Sequence, residues 1–214
     1  VALCLTGTTK TDVSNTKLLE NNVDITSTYL TDEVYTKIDG EPDKDAIYMI
    51  NPSTTPAKIA DRTTGATFNA ATGRFDGEKI SGTYAAGETI TWTLYATNTG
   101  DCQLYNLKLT DTNSDELKEV LEEGSEYYDF SSGDTLTSAN GKNVVATINA
   151  DNSVTFDTLE AHDYVTIKYS AVVKKKIKKS DGLKNKVDLT AQYLLNGTPV
   201  DITGTPDEDK VNII

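Results

Sequence analysis

Between Ala86 and Thr112 the chain reads AGETITWTLYATNTGDCQLYNLKLTDT, and this stretch leaves little choice of secondary structure. After the Gly87-Glu88 turn, Ile90, Trp92, Leu94 and Ala96 fall at every second position. They alternate with Thr89, Thr91, Thr93 and Tyr95, which is the period of a strand buried on one face. Asn98-Thr99-Gly100-Asp101 supplies turn chemistry, because Gly and Asn accept positive φ and Asp bonds its own backbone. Leu104, Leu107 and Leu109 mark a second strand, and the 107, 109, 111 register puts Asp111 on the side of the leucines. A carboxyl group aimed at a core needs a partner or a task.

Similar patches run through the rest of the chain. In the first third, strands are expected at Val23 to Tyr29, Val34 to Ile38, Ala46 to Ile50 and Ala66 to Phe75, with turns at Asn51-Pro52-Ser53 and Thr63-Thr64-Gly65. The apolar Val1 to Leu5, within residues 1–6, is either the first strand of its own domain or a donor strand for an open sheet edge in a neighbouring copy. Ser114 to Glu123 has helical spacing, with Leu117, Val120 and Leu121 on one side and Gly124 as its stop. Strands resume at Asn143 to Ile148, Ser153 to Phe156, Tyr164 to Val173, Lys186 to Leu195 and Pro199 to Thr203, the last two joined by Asn196-Gly197. The pattern predicts an all-β fold, an antiparallel β-sandwich over residues 76–214 with one short helix. Residues 1–75 are expected to form extra strands or a small β subdomain. A short echo links Leu18-Leu19 and Val23-Asp24-Ile25-Thr26 to Leu194-Leu195 and Val200-Asp201-Ile202-Thr203, as a repeat or as chance hairpin similarity.

Charge and composition narrow the function. With 33 acidic residues against 20 basic ones the net charge is −13, which disfavours nucleic acid as a partner. No run approaches a membrane span of about 20 apolar residues. The single histidine, His162, has no second His for zinc and no nucleophile motif, so no cofactor and no enzymatic activity are expected. Asp39, Glu41, Asp43 and Asp45 alternate as a calcium candidate or a solvated acidic loop. Cys4 and Cys102 are a disulfide candidate, within or between chains, or two free thiols. Lys174, Lys175, Lys176, Lys178, Lys179, Lys184 and Lys186 form a basic cluster, read either as a solvated tip or as a patch for docking between copies or onto anionic wall polymer.

The ordered set AAGETITWTLYATNTGDCQLYNLKLTDT, LEAHDYVTIKYSAVV and LKNKVDLTAQY resembles the immunoglobulin-like repeats of bacterial cell-surface proteins, over about two thirds of the chain. That resemblance implies a non-enzymatic extracellular structural module of a filament, pilus or adhesin. Its partners would be other copies of itself or a cell-wall polymer. The alternative is an adhesion module gripping a glycan or host protein, with Tyr127 and Tyr128 as a stacking surface. The related isopeptide-bonded pilin domains join a Lys amine to an Asn carboxamide with the help of a buried acid. By that likeness Asp111 is the acid and Asn185 the amide, since Asn185 shares the parity of Val187, Leu189, Ala191 and Tyr193. Lys79 is the nearest match to the lysine, although Ile80 and Tyr84 hold the opposite parity and a bulge would be needed to turn it inward.

Overall fold

A computed structural model describes residues 18–31, 34–39, 41–48, 50–175 and 179–214. The chain divides between Asn51 and Pro52 into two compact units. The first holds β1 (Leu18–Val23), β2 (Thr26–Thr31), β3 (Val34–Asp39) and β4 (Asp43–Tyr48). Here β1 pairs with β4 and β2 with β3, both antiparallel. The strand expected from Val23 to Tyr29 is interrupted at Asp24-Ile25, which separates β1 from β2.

The second unit is a two-layer β-sandwich. Its strands are β5 (Thr54–Ala60), β6 (Thr64–Asn69), β7 (Arg74–Ile80), β8 (Gly82–Tyr84), β9 (Thr89–Asn98) and β10 (Leu104–Asn113). After α1 (Asp115–Val120) come β11 (Tyr127–Tyr128), β12 (Thr135–Thr137), β13 (Asn143–Ile148), β14 (Val154–Leu159), β15 (Tyr164–Val172), β16 (Ser180–Leu195), β17 (Thr198–Thr203) and β18 (Asp207–Ile213). One layer runs β11-β15-β9-β5, and the other β12-β13-β14-β10-β16-β18-β8 with β17 also on β16. Ile90, Trp92, Leu94 and Ala96 of β9 are fully buried and form one core with Leu107 and Leu109 of β10 and Val187 and Leu189 of β16. Each such side chain contributes about 1.5–3 kcal/mol by leaving water.

Several expectations need correction. The sandwich begins at Pro52 rather than at residue 76, because β5 adds to the edge of β9 with Lys58 opposite Leu94. Pro56 is tolerated there, since an edge strand has one side on which a missing N–H breaks no ladder bond. The strand expected over Ala66 to Phe75 is the hairpin β6-β7, whose Phe68 and Phe75 rings pack on Tyr95, the former stacked at 4.0 Å. The helix is shorter than Ser114 to Glu123. Ser114 caps it by accepting the Leu117 N–H, but Leu121 is extended and bridges Val173, so sheet pairing ends the helix early. Among the described residues, pairing between strands is antiparallel except between β8 and β18, which run parallel.

Candidate functional site

Three neighbouring strands of one layer present a grid of polar side chains to the interior. Across β10, β16 and β18 the register sets Asp111 opposite Val187 and Val187 opposite Asp207. Two residues along, Asn113 lies opposite Asn185 and Asn185 opposite Asp209. Asn113, Asn185 and Asp209 are buried, a costly arrangement unless each finds a partner.

The other layer answers with Lys58 on β5. Its side chain is wholly buried, its ammonium meets the Asp111 carboxylate, and its nitrogen lies 5.4 Å from the centre of the Trp92 ring. The Asp111 side chain is 3% exposed. Trp92 stacks with Tyr169 at 5.7 Å, and the Tyr169 hydroxyl donates to Glu126 Oε1 at 2.9 Å while accepting from Asn113 Nδ2 at 3.1 Å.

Burial acts on the two ions in opposite directions. It lowers the Lys58 pKa, against the pull of Asp111, Asp209 and Asp207, and raises the Asp111 pKa, against Lys58 and Asn185. Both shifts favour an uncharged amine beside an uncharged acid. Asn185 is near enough to Asp111 to favour its ionised form, yet neither amide atom meets hydrogen-bond geometry with any group. A buried amide with neither atom in good hydrogen-bond geometry is rare.

The other sequence candidates fall elsewhere. Lys79 is not the lysine at this site: its ammonium lies 2.7 Å from Asp207 Oδ2 and accepts no role near Asp111. The β6-β7 register does contain an irregularity, but it leaves Lys79 beside the Phe75 ring at the flank of the sandwich. His162 is exposed at φ 56°, while the neighbouring Asp163 is buried and takes the Ser138 hydroxyl and the Asn140 and Tyr164 amides, so no triad forms. Asp39 and Glu41 are exposed, and no group of three or more His, Cys, Asp or Glu is placed to hold a metal among the described residues. The side chains of Asp43 and Asp45 lie outside the described residues, as do Cys4, residues 1–6, Lys176 and Lys178. Cys102 is half-buried against the core, and burial pushes its thiol up. Lys174 donates to the Glu119 carbonyl, Lys184 pairs with Glu208 at 3.3 Å and Lys186 with Asp188 at 2.8 Å, which leaves Lys175 and Lys179 as the other described members of the basic cluster. Tyr127 is exposed but Tyr128 is buried and donates to the Asn152 carbonyl, so the two do not form one stacking surface.

Sequence reasoning missed Lys58, Glu126, Tyr169 and Asp209 as parts of this site. A signal for Lys58 was present: Thr54 to Ala60 is a strand-length run of Thr, Ala and Ile between two readable turns. Pro56 hid it.

No family model matches the chain, and no curated protein matches it. Among solved structures it is similar to AvmM, which catalyses macrocyclization in alchivemycin A biosynthesis (12% identity, 63% of this chain, 84% of that one, TM-score 0.33). It is also similar to ACE19, the collagen-binding subdomain of the Enterococcus faecalis surface protein ACE (13%, 61% and 93%, 0.34). A further likeness is to self-complemented MyfA, the major subunit of Myf fimbriae of Yersinia enterocolitica, in complex with galactose (14%, 74% and 99%, 0.27). Enzyme, adhesin and fimbrial subunit stand together here, and at these TM-scores the likeness decides nothing about function. Among the described residues no helix is long and apolar enough to cross a membrane.

Proposed function

We propose that this chain is a non-enzymatic structural module of a bacterial cell-surface filament, pilus or adhesin, and that its sandwich is locked by an intramolecular isopeptide bond between Lys58 and Asn185. The observation that carries this reading is the buried Lys58–Asp111 pair with the buried Asn185 amide within hydrogen-bonding reach of the same carboxyl.

In the reaction, the uncharged Lys58 Nζ attacks Asn185 Cγ while Asp111, as the neutral acid, gives its proton to the carboxamide oxygen. The tetrahedral carbon then expels its amino group. Asp111 takes a proton from Nζ and passes it to that leaving group, and as the C=O re-forms the oxygen's proton returns to Asp111, so one C–N bond forms, one breaks, and one ammonia departs. Nothing else is consumed, and the acid is restored. Burial supplies the driving arrangement, since in water the amine would be protonated and the acid ionised.

The bond would tie β5 of one layer to β16 of the other and close a loop of roughly 130 residues, worth about 5 kcal/mol by the loop-entropy argument for covalent crosslinks. A tie between layers resists the shearing that would separate them, which suits a load-bearing surface protein. Intact-mass spectrometry tests the reading: the chain is expected to be about 17 Da lighter than its sequence, the mass of one ammonia. Lys58→Met and Asn185→Ala should restore the full mass and Lys79→Met should not. A wild-type chain at full sequence mass would remove the crosslink.

A further inference from the structure

We infer that Asp207 and Asp209 on β18 are positioning residues for this bond, holding the free edge of β5 so that Lys58 meets Asn185 only after the last strand has docked. The inference rests on the crosslink reading above and adds an order of events to it.

The argument begins with an edge. β5 is the last strand of its layer, paired on one side with β9, and its backbone N–H groups at Lys58 and Ala60 point the other way. Unpaired edge donors usually face water or another strand. Here they face carboxylates. Lys58 N donates to Asp207 Oδ2 at 2.9 Å, and Ala60 N donates to Asp209 Oδ2 at 2.6 Å. The Thr63 hydroxyl donates to the same Asp209 oxygen at 2.9 Å. Asp209 is 2% exposed, so these charge-assisted bonds are sheltered from water.

The same two residues are ladder neighbours of the site. Asp209 stands opposite Asn185 and Asp207 opposite Val187, itself opposite Asp111. One strand therefore fixes the nucleophile's backbone with its side chains and the electrophile's backbone with its main chain. A slip of β5 by one residue would turn Lys58 out of the core. The approach is tight where β18 begins: a Cβ on Gly204 would lie 2.7 Å from the Thr54 carbonyl oxygen and 2.8 Å from Pro56 Cδ. Lys79, at 2.7 Å from Asp207 Oδ2, gives that carboxylate a counter-ion of its own, so that it can accept from the Lys58 N–H without depending on the Lys58 ammonium. Attack on a carboxamide needs the reacting atoms about 3–3.5 Å apart, and a displacement of about 1 Å costs on the order of a hundredfold in rate.

The test follows the mass of the full-length chain, at purification and during incubation, in wild type, Asp209→Ala, Asp209→Asn, Asp207→Ala and Val211→Ala. Wild type should be wholly crosslinked. Asp209→Ala should yield uncrosslinked chain that closes at least about tenfold more slowly, whereas Asp209→Asn, which keeps an oxygen for the Ala60 N–H, should restore the wild-type rate. Val211→Ala makes a cavity on the same strand without removing either carboxylate bond to the β5 backbone and should crosslink as wild type does, which separates positioning from mere loss of stability. Asp209→Ala crosslinking at the wild-type rate would overturn the inference. If that variant fails to fold, Asp207→Ala decides by the same criterion. A wild-type chain at full mass would instead fell the crosslink reading, and this inference with it; a crosslinked wild type with an equally fast Asp209→Ala fells the positioning role alone.

Discussion

Two of the lysine–aspartate pairs in the sandwich, built from the same atoms, differ in how far they are buried. Lys58–Asp111 lies between the layers with side chains 0% and 3% exposed, while Lys79–Asp207 lies at the flank with side chains 17% and 18% exposed. Between the layers, burial outweighs mutual attraction and moves both groups toward their uncharged forms. At the flank the two side chains meet at 2.7 Å and keep some contact with water. On the proposed reading, position in the sheet, and not residue type, separates the pair that reacts from the pair that only stabilises.

The largest expected effect breaks this comparison outright. Lys58→Met, Asn185→Ala and Asp111→Asn should each give full sequence mass and lower the stability read from denaturant midpoints by about 5 kcal/mol, the loss of a long-loop crosslink. Asp111→Ala should cost as much or more, because it leaves Lys58 buried without a counter-ion, a loss of about 3–5 kcal/mol in itself. Lys79→Met should keep the crosslinked mass and cost about 1.5–3 kcal/mol, the range of a hydrogen bond to a charged group. Equal effects at the two lysines would abolish the distinction.

How much of this was legible in the chain follows from what each strand shows in one dimension. Asp111 and Asn185 sit in runs with clean two-residue alternation, Leu107-Leu109 on one side and Val187-Leu189-Ala191 on the other, so their inward direction could be read from parity alone. The two-layer β fold was legible for the same reason. Lys58 was not. It lies in an edge strand containing Pro56, outside the region assigned to the sandwich, and only pairing with β9 turns it inward. Lys79 was the nearer lysine in sequence, but sequence distance carries no information about which layer a side chain enters. Glu126 and Tyr169 joined the site through contacts 43 residues apart, a separation that no periodicity reports. The carboxylates holding the β5 edge were invisible too, because Asp207 and Asp209 read as surface charges until β18 is placed beside β5.

The pH dependence of crosslinking sharpens the comparison further. The productive pair, amine with acid, holds the same single proton as the ion pair, so the two interconvert without exchange with solvent. A chain recovered unfolded and diluted into native buffers should crosslink at a rate that is flat across a central pH range. Toward acid the rate should fall as Lys58 and Asp111 both become protonated; toward alkali it should fall as Asp111 loses its proton while Lys58 is already neutral. Each limb should approach a tenfold change per pH unit. A rate that rises steadily with pH would mean that free amine alone is limiting and that Asp111 is not the acid.

A smaller effect is expected at the wall of the interior site. Tyr169→Phe removes a hydroxyl that donates to Glu126 and accepts from Asn113, whose Oδ1 already has no partner. The cost should be about 1–2 kcal/mol by thermal or chemical unfolding, since a buried amide loses an acceptor while the ring stays in place. The crosslinked mass should be unchanged, because the ring and not the hydroxyl packs against Trp92.

The smallest effect belongs to an exposed ion pair, Arg62 with Glu88, whose guanidinium binds both carboxylate oxygens at 2.7 and 3.1 Å. Glu88 also accepts the Ala85 N–H, and together these bonds pull its pKa from 4.5 to about 2. Because the folded value is depressed, the contribution to stability is present above 4.5 and is lost as the pH falls toward 2. Glu88→Gln should therefore narrow its difference from wild type over that acid window, and the difference near neutrality should shrink further in salt. A large, salt-independent loss would show that the pair is acting through its bond to the Ala85 turn, and would move it from the exposed class of contacts into the buried one.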